Sequence, residues 1–442
     1  MSNNINRRRF LTRAGLVAGG VVAGPSLLAA CGGGQQGGGG ATDKFKVGAV
    51  LELSGESATG GQIAQRGYQL WADTVNKAGG LAIGDKKYQV DLIVQDCKSD
   101  PATGADATSR LATEEGVNAI FGAYTSGVQL AMDPICAKYR VPCIAGSAES
   151  PGVWKKQPAF TFGVIPAVDT TADRSIQSIV DTANPKPVTA AVVGANEPFS
   201  DDTAQGFRSG AEAARLNVVH FSLFPPNADL APVAQVVAAQ KPDIVAVGGH
   251  DVLLVDFVRA MAATGYTPKA IIEHYGVTDA SFAKALGRQA DGVMGISVWL
   301  PTATFKDDLF GSAGDYAKAF EQQHGSPPDY TAAGCSAAGL VLQTAVEKLG
   351  EPPSLSEDAR GKLNDLIAGT DLQTFYGPIK FASEGDHFHN NTALDPMLVQ
   401  IQAGRSRRSH RRSRHKRRSS TRSPRWAAAL DATAGRLLGL TQ

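Results

Sequence analysis

Short apolar runs alternate with helical periodicity every thirty-odd residues along most of this chain. Residues 45–51 read as a buried strand that opens into the small, polar stretch 54–61. A helix starting near Gln62 follows, with Ala64, Tyr68, Trp71, Ala72 and Val75 on one face. Asn76-Lys77-Ala78-Gly79-Gly80 gives it a glycine stop. A second strand over 88–94 leads to Asp96, and Ser99-Asp100-Pro101 caps the next helix. The stretch 117–151 then reads strand, polar loop, helix, strand, polar loop. Its loops are Gly122-Ala123-Tyr124-Thr125-Ser126-Gly127 and Ala145-Gly146-Ser147-Ala148-Glu149-Ser150-Pro151, separated by a helix ending near Tyr139. Both loops leave the carboxyl ends of strands expected to be parallel neighbours, the place where α/β sheets form a ligand crevice. Their small residues expose backbone groups and hydroxyls to a ligand.

The rhythm restarts at Val168. Strands are expected over 189–193, 218–223, 244–247 and 270–272, with helices ending at Arg215 and Thr264 and another over 230–239. Loops 196–201 and Gly248-Gly249-His250-Asp251 again follow strand ends. Two such series predict two α/β lobes, each with a parallel sheet covered on both faces.

Composition agrees with this: 442 residues, 43% hydrophobic and 19% charged, suffice for two cores. The net charge of +1 conceals a segregation. Residues 1–30 hold four Arg and no acid, and 405–442 hold twelve Lys or Arg and one acid. The middle, 31–404, keeps 27 basic and 41 acidic residues, so nucleic acid is not the expected partner of the folded part.

Asn6-Arg7-Arg8-Arg9-Phe10-Leu11-Thr12 and the Gly/Ala-rich run after it resemble a twin-arginine export signal, with a plain secretory signal as the alternative. Leu28-Ala29-Ala30-Cys31 resembles a bacterial lipobox, which implies lipidation of Cys31 and a membrane anchor. The Gly-rich stretch 32–40 suits a tether. At the other end, 405–425 is Arg/Ser/His-rich low complexity that cannot bury a core, and 426–440 is expected to form a short amphipathic helix.

In order, Gly48-Ala49-Val50-Leu51-Glu52-Leu53-Ser54-Gly55, the helix end at 76–80, Asp96 before a cap and the loop pair of 117–151 resemble the substrate-binding proteins of branched-chain amino acid ABC importers. The resemblance spans about 45–404. It implies the type I periplasmic-binding fold, with chain crossings near 166–168, 300–302 and 376–378. One lobe would be 45–167 with 302–376, the other 168–301 with 377–404. Ligand capture would be lobe closure. The implied partners are a small amino acid or related small carboxylate and the ABC permease.

Candidate ligand residues follow from the residues and from this match. Thr125 and Ser126 stand at a helix start, where amides and dipole favour a carboxylate, though the same hydroxyls would also cap that helix. The resemblance assigns the ammonium to the loop of Ser147, Ala148 and Glu149 and to an acid of the second lobe. The counter-charge is therefore expected from Glu149 or from Glu273, with a solvated loop Glu149 as the alternative. Phe199 matches an aromatic that packs on the ligand, and His250 matches the position after Gly-Gly. Tyr275 and Tyr330 are lining or core candidates, and Ser54 belongs to the first loop. Gly60 falls where an aromatic often sits, which implies a roomier pocket.

Cys97, Cys136, Cys143 and Cys335 remain after Cys31, and spacing leaves their pairing open, Cys136 with Cys143 included. No Cys-x-x-Cys, His-Glu-x-x-His, Gly-Lys-Thr or Gly-x-Ser-x-Gly motif occurs in the sequence. Neither cofactor nor catalysis is expected, and His387 and His389 are read as a polar turn rather than metal ligands. The leading expectation is a lipid-anchored importer receptor. A sensory receptor of the same fold and an extracytoplasmic hydrolase using Glu149 and His250 are the alternatives.

Overall fold

This computed structural model describes residues 44–402 and 436–439. The expectations on the signal at 1–30, on lipidation of Cys31, on the tether and on the basic run 405–425 lie outside the described residues.

The first series runs β1 (Lys44–Leu51), α1 (Ala58–Lys77), β2 (Leu81–Ile83), β3 (Lys86–Asp96), α2 (Pro101–Arg110), β4 (Ala119–Phe121), α3 (Ser126–Lys138), β5 (Cys143–Ala145), the single turn α4 (Pro151–Trp154) and β6 (Thr161–Gly163). Its strands form a sheet ordered β2-β3-β1-β4-β5-β6, parallel throughout except for β2 against β3. β4, β5 and β6 are buried along their whole length, as strands covered on both faces are, whereas β3 alternates apolar and polar residues. Loops at the carboxyl ends of β1, β4 and β5 therefore share one edge, with β4 and β5 adjacent as the pattern predicts.

The second series is α5 (Val168–Thr182), β7 (Thr189–Ala195), α6 (Pro198–Ala213), β8 (Asn217–Phe224), α7 (Leu230–Ala239), β9 (Ile244–Gly248), α8 (Asp251–Ala263), β10 (Ala270–Glu273), α9 (Ala280–Leu286) and β11 (Met294–Ser297). Next come β12 (Lys306–Asp307), β13 (Gly311–Ser312), α10 (Ala313–His324), α11 (Tyr330–Leu349), α12 (Glu357–Ala368), the hairpin β14 (Asp371–Thr374) and β15 (Gly377–Lys380), then β16 (Met397–Gln402) and β17 (Arg436–Gly439). The second sheet is ordered β17-β16-β11-β10-β9-β7-β8, and β11, β10, β9, β7 and β8 are parallel. Helix α11, buried along most of its length, packs against α1 and β2 of the first lobe.

Two α/β lobes of mostly parallel sheets are thus present, as the alternation of strands and helices predicts. The lobe boundaries named above stand as our proposal. Asn390 and Asn391 stitch the segments beside those boundaries: Asn390 donates to the Ile165 carbonyl at 2.7 Å and accepts from the Ala167 amide at 2.8 Å. Asn391 donates to the carbonyls of Val164 and Pro378 at 3.0 and 3.1 Å.

Several boundaries differ from the sequence reading for physical reasons. Helix α1 starts at Ala58, before Gln62, and takes Gly60 and Gly61 into its first turn. A Cβ on Gly61 would stand 2.0 Å from the Glu52 carbonyl oxygen, so only glycine permits that approach. Helix α6 starts at Pro198, whose fixed φ suits a first helical position, and the Glu197 carboxylate caps it by accepting from the Phe199 and Ser200 amides. Phe199 is therefore helical, not in a loop. Residues 436–439 form a strand where a helix was expected, because β16 leaves an open edge whose backbone groups an antiparallel strand satisfies. Cys97, Cys136, Cys143 and Cys335 are buried free thiols, with Cys136 hydrogen-bonded to Cys143 rather than bridged to it.

Candidate functional site

The first-lobe loops are held by a residue the sequence reading passed over. Glu52, fully buried after β1, accepts from the Tyr124 amide at 3.0 Å, the Thr125 amide at 2.9 Å and the Thr125 hydroxyl at 2.6 Å. Burial raises its pKa and these three bonds oppose the rise. The Thr125 hydroxyl also accepts from the Val128 amide, so it caps α3 while donating to Glu52. An acid directly after an apolar strand was the signal for this clamp.

The second loop is tied to the first. The Ser126 hydroxyl accepts from the amides of Glu149 and Ser150 at 3.2 and 3.0 Å, and the Ser147 hydroxyl donates to the Tyr124 carbonyl at 3.2 Å. Ser126, Ser147, Ala148 and Glu149 are all buried. A solvated loop Glu149 is thereby excluded.

Across the cleft stand Phe199 at the start of α6, His250 before α8, and His274 and Tyr275 after β10. Side-chain contacts run from one to the next in a closed circuit. Tyr330 donates to Glu149 Oε1 at 3.0 Å, and its ring meets Tyr275 edge to face at 5.8 Å. Tyr275 meets Tyr124 in the same manner at 5.8 Å. The Tyr124 hydroxyl lies 3.1 Å from His250 Nδ1, and His250 stacks on Phe199 at 4.5 Å. Phe199 meets His274 edge to face at 5.5 Å, and His274 Nε2 lies 3.6 Å from Glu149 Oε2, which closes the circuit. The circuit joins Tyr124, Glu149 and Tyr330 to Phe199, His250, His274 and Tyr275. A separate bond, from the Ser150 hydroxyl to Asp202 on α6, also joins the lobes.

Burial sets the protonation of these groups. It pushes the Glu149 carboxyl well above its ordinary range, more than the Tyr330 hydrogen bond lowers it, and pushes His274 down to about 3. Burial thus works against charge on both partners of the 3.6 Å contact between them. His250 is lowered by burial against the opposing charge of Glu197, 3.6 Å away. Glu149 Oε2, His250 Nε2, His274 Nδ1 and Ser200 Oγ are buried without a hydrogen-bond partner. Each such atom costs about 1–3 kcal/mol, a cost that a polar ligand removes on entering.

Not every candidate joins the circuit. Ser54 donates to Asp96 at 2.7 Å and helps fix the loop after β1. Glu273 is fully buried, both oxygens lack partners, and only burial acts on its strongly raised pKa. Among the described residues, no hydrogen bond or ion pair ties it to Glu149, His250 or His274. Tyr124 occupies the space beside Gly60, where a Cβ would fall 2.1 Å from the ring, so the glycine does not make the pocket roomier. His387 contacts Asp169 at 3.1 Å while His389 bonds the Pro158 carbonyl, so the two histidines serve different partners.

A sequence model described as periplasmic binding protein matches residues 44–405. The Leu/Ile/Val-binding protein BraC3 of Rhizobium johnstonii is 23% identical over 352 residues, 77% of this chain and 88% of that protein. A branched-chain amino acid transporter substrate-binding protein of Streptococcus pneumoniae, solved with isoleucine, superposes with a TM-score of 0.70 at 22% identity, covering 81% of this chain and 96% of that one. A solute-binding protein of an ABC transporter from Rhodopseudomonas palustris, solved with benzoate, gives 0.69 at 22% identity, with 81% and 93% covered.

Proposed function

The chain belongs to the periplasmic binding protein family, and from that premise we propose that it is the extracytoplasmic receptor of an ABC importer, closing two lobes over one small ligand and delivering it to the permease. It is a binding component and not an enzyme. The observation that carries the reading is the circuit between the strand ends of the two lobes, with buried polar atoms left unpaired at Glu149, His250 and His274.

The ligand in this reading is an amino acid of branched-chain type or a related small carboxylate. Support comes from the Leu/Ile/Val-binding relatives and from the isoleucine and benzoate found in structural neighbours. Thr125, Ser126, Ser147, Ala148 and Glu149 serve it from the first lobe, Phe199, His250 and Tyr275 from the second. The reading also includes export by the signal at 1–30 and a lipid anchor on Cys31, which follow from the sequence alone. Calorimetric titration of the protein with amino acids and small carboxylates tests it. Saturable one-to-one binding of one of them is expected, and heats equal to buffer dilution across the whole set would refute it.

A further inference from the structure

Asp329 uses its two carboxyl oxygens in two directions. Oδ1 accepts from the Ala332 amide at 2.8 Å and caps α11, while Oδ2 accepts from the Tyr275 hydroxyl at 2.9 Å. Capping alone needs one oxygen, which Ser or Asn would supply about as well. The second bond reaches the other sheet, because Tyr275 lies two residues beyond the end of β10.

The capped helix is a fixed base for that bond. Along α11 the Ser336 hydroxyl donates to the Gly67 carbonyl of α1 at 2.6 Å, and the Ala332 carbonyl accepts from the Tyr316 hydroxyl of α10 at 3.0 Å. Its first residue, Tyr330, donates to Glu149 and meets Tyr275 edge to face. Ring contacts of that kind are satisfied over a range of offsets, whereas a hydrogen bond weakens steeply with distance and angle. The bond to Asp329 therefore sets where the Tyr275 ring stands. Burial pushes the Asp329 carboxyl up to about 6, with Asp279 acting in the same sense and the bonds from Ala332 and Tyr275 opposing. It is thus mostly ionised at neutral pH, and a bond donated to a carboxylate is roughly twice as strong as one between neutral groups. On Glu149 and Tyr330 its charge adds to burial, the larger cause, in favouring the protonated form.

Resting on the receptor reading above, we propose that Asp329 is a positioning residue of the ligand site, holding Tyr275 of the second lobe against Tyr330 and Glu149 of the first without itself touching the ligand. The face that Tyr275 turns to a guest is then set by α11, a helix packed on α1 and β2. Ligand affinity in this arrangement includes the Tyr275 to Asp329 bond.

The test separates the cap from the second bond. Asp329→Ser keeps a cap and removes the acceptor of Tyr275. Asp329→Asn keeps a cap and turns an amide N–H toward the tyrosine oxygen. Tyr275→Phe keeps the ring and removes the donor. The parent, these variants and the Asp329→Ser/Tyr275→Phe double variant are titrated calorimetrically with isoleucine, leucine and benzoate. Asp329→Ser and Tyr275→Phe are each expected to weaken binding about tenfold or more, with Asp329→Asn between Asp329→Ser and the parent. The double variant should bind within about twofold of the weaker single variant, since both changes remove one bond. Tyr275→Phe keeps the test open should an Asp329 variant misfold. Parent-like affinity in Asp329→Ser would reduce Asp329 to a helix cap, and losses that multiply in the double variant would show two independent effects. Either result would overturn the proposal and leave the receptor reading standing. A parent that binds none of the three ligands would remove the receptor reading, and the proposal with it.

Discussion

Tyr124 and His250, 126 positions apart in the chain, meet with the tyrosine hydroxyl 3.1 Å from Nδ1 of the imidazole. One comes from the loop after β4, the other from the loop after β9. Their bond joins loops that leave two different sheets.

Tyr124→Phe keeps the ring and removes that bond. Since a neutral hydrogen bond contributes about 0.5–1.5 kcal/mol net, ligand affinity should fall by a factor of roughly 2 to 12, with little change in melting temperature. Calorimetry and thermal unfolding check the two halves of this expectation. A melting temperature that falls while affinity holds would mean that the bond serves folding instead.

Gly60→Ala should act on the same ring from the other side. The added carbon would lie 2.1 Å from the Tyr124 ring, so the tyrosine must leave its place. Overpacking of this kind costs about 1–3 kcal/mol, and the displaced ring should also weaken binding. Paired melting and titration curves read both effects, and unchanged values in both would show that the ring shifts freely.

Much of the fold could be read from the chain because buried parallel strands leave a simple trace. The apolar runs at 45–51, 189–193 and 244–247 each mark a strand, and small polar loops mark their ends. The loop pair around Tyr124 and Glu149 was legible for the same reason. The circuit itself was not, because it depends on contacts between loops of different lobes, and no local period encodes those. Glu52 illustrates the difference: its partners Tyr124 and Thr125 are more than seventy residues away. The strand at 436–439 was likewise hidden, since its reason is the open edge of β16 and not its own pattern.

Glu273 makes stability depend on pH. Burial holds its carboxyl protonated in the folded chain well above the range where the unfolded chain ionises. Its contribution is therefore complete below the ordinary carboxyl pKa and is lost as pH rises through the folded value. Glu149, raised by the same cause, adds a slope of the same sign. Urea unfolding of Glu273→Gln should show a smaller loss of stability between pH 5 and pH 8 than the parent chain. Parallel losses in the two proteins would contradict the assignment.

Ser126→Ala separates bracing from ligand contact. The change leaves the amides of Glu149 and Ser150 without their acceptor, at about 1–3 kcal/mol for each group left buried and unpaired. The melting temperature of the ligand-free protein should fall. A fall in affinity with no fall in stability would instead make the hydroxyl a ligand group.

In the receptor reading proposed above, two lobes swing shut on a guest held between Tyr124 and Glu149 on one side and Phe199, His250 and His274 on the other. Small-angle X-ray scattering of the protein with and without saturating ligand tests it most directly. A smaller radius of gyration is expected in the bound state, and superimposable curves at a ligand concentration that calorimetry shows to be saturating would rule lobe closure out.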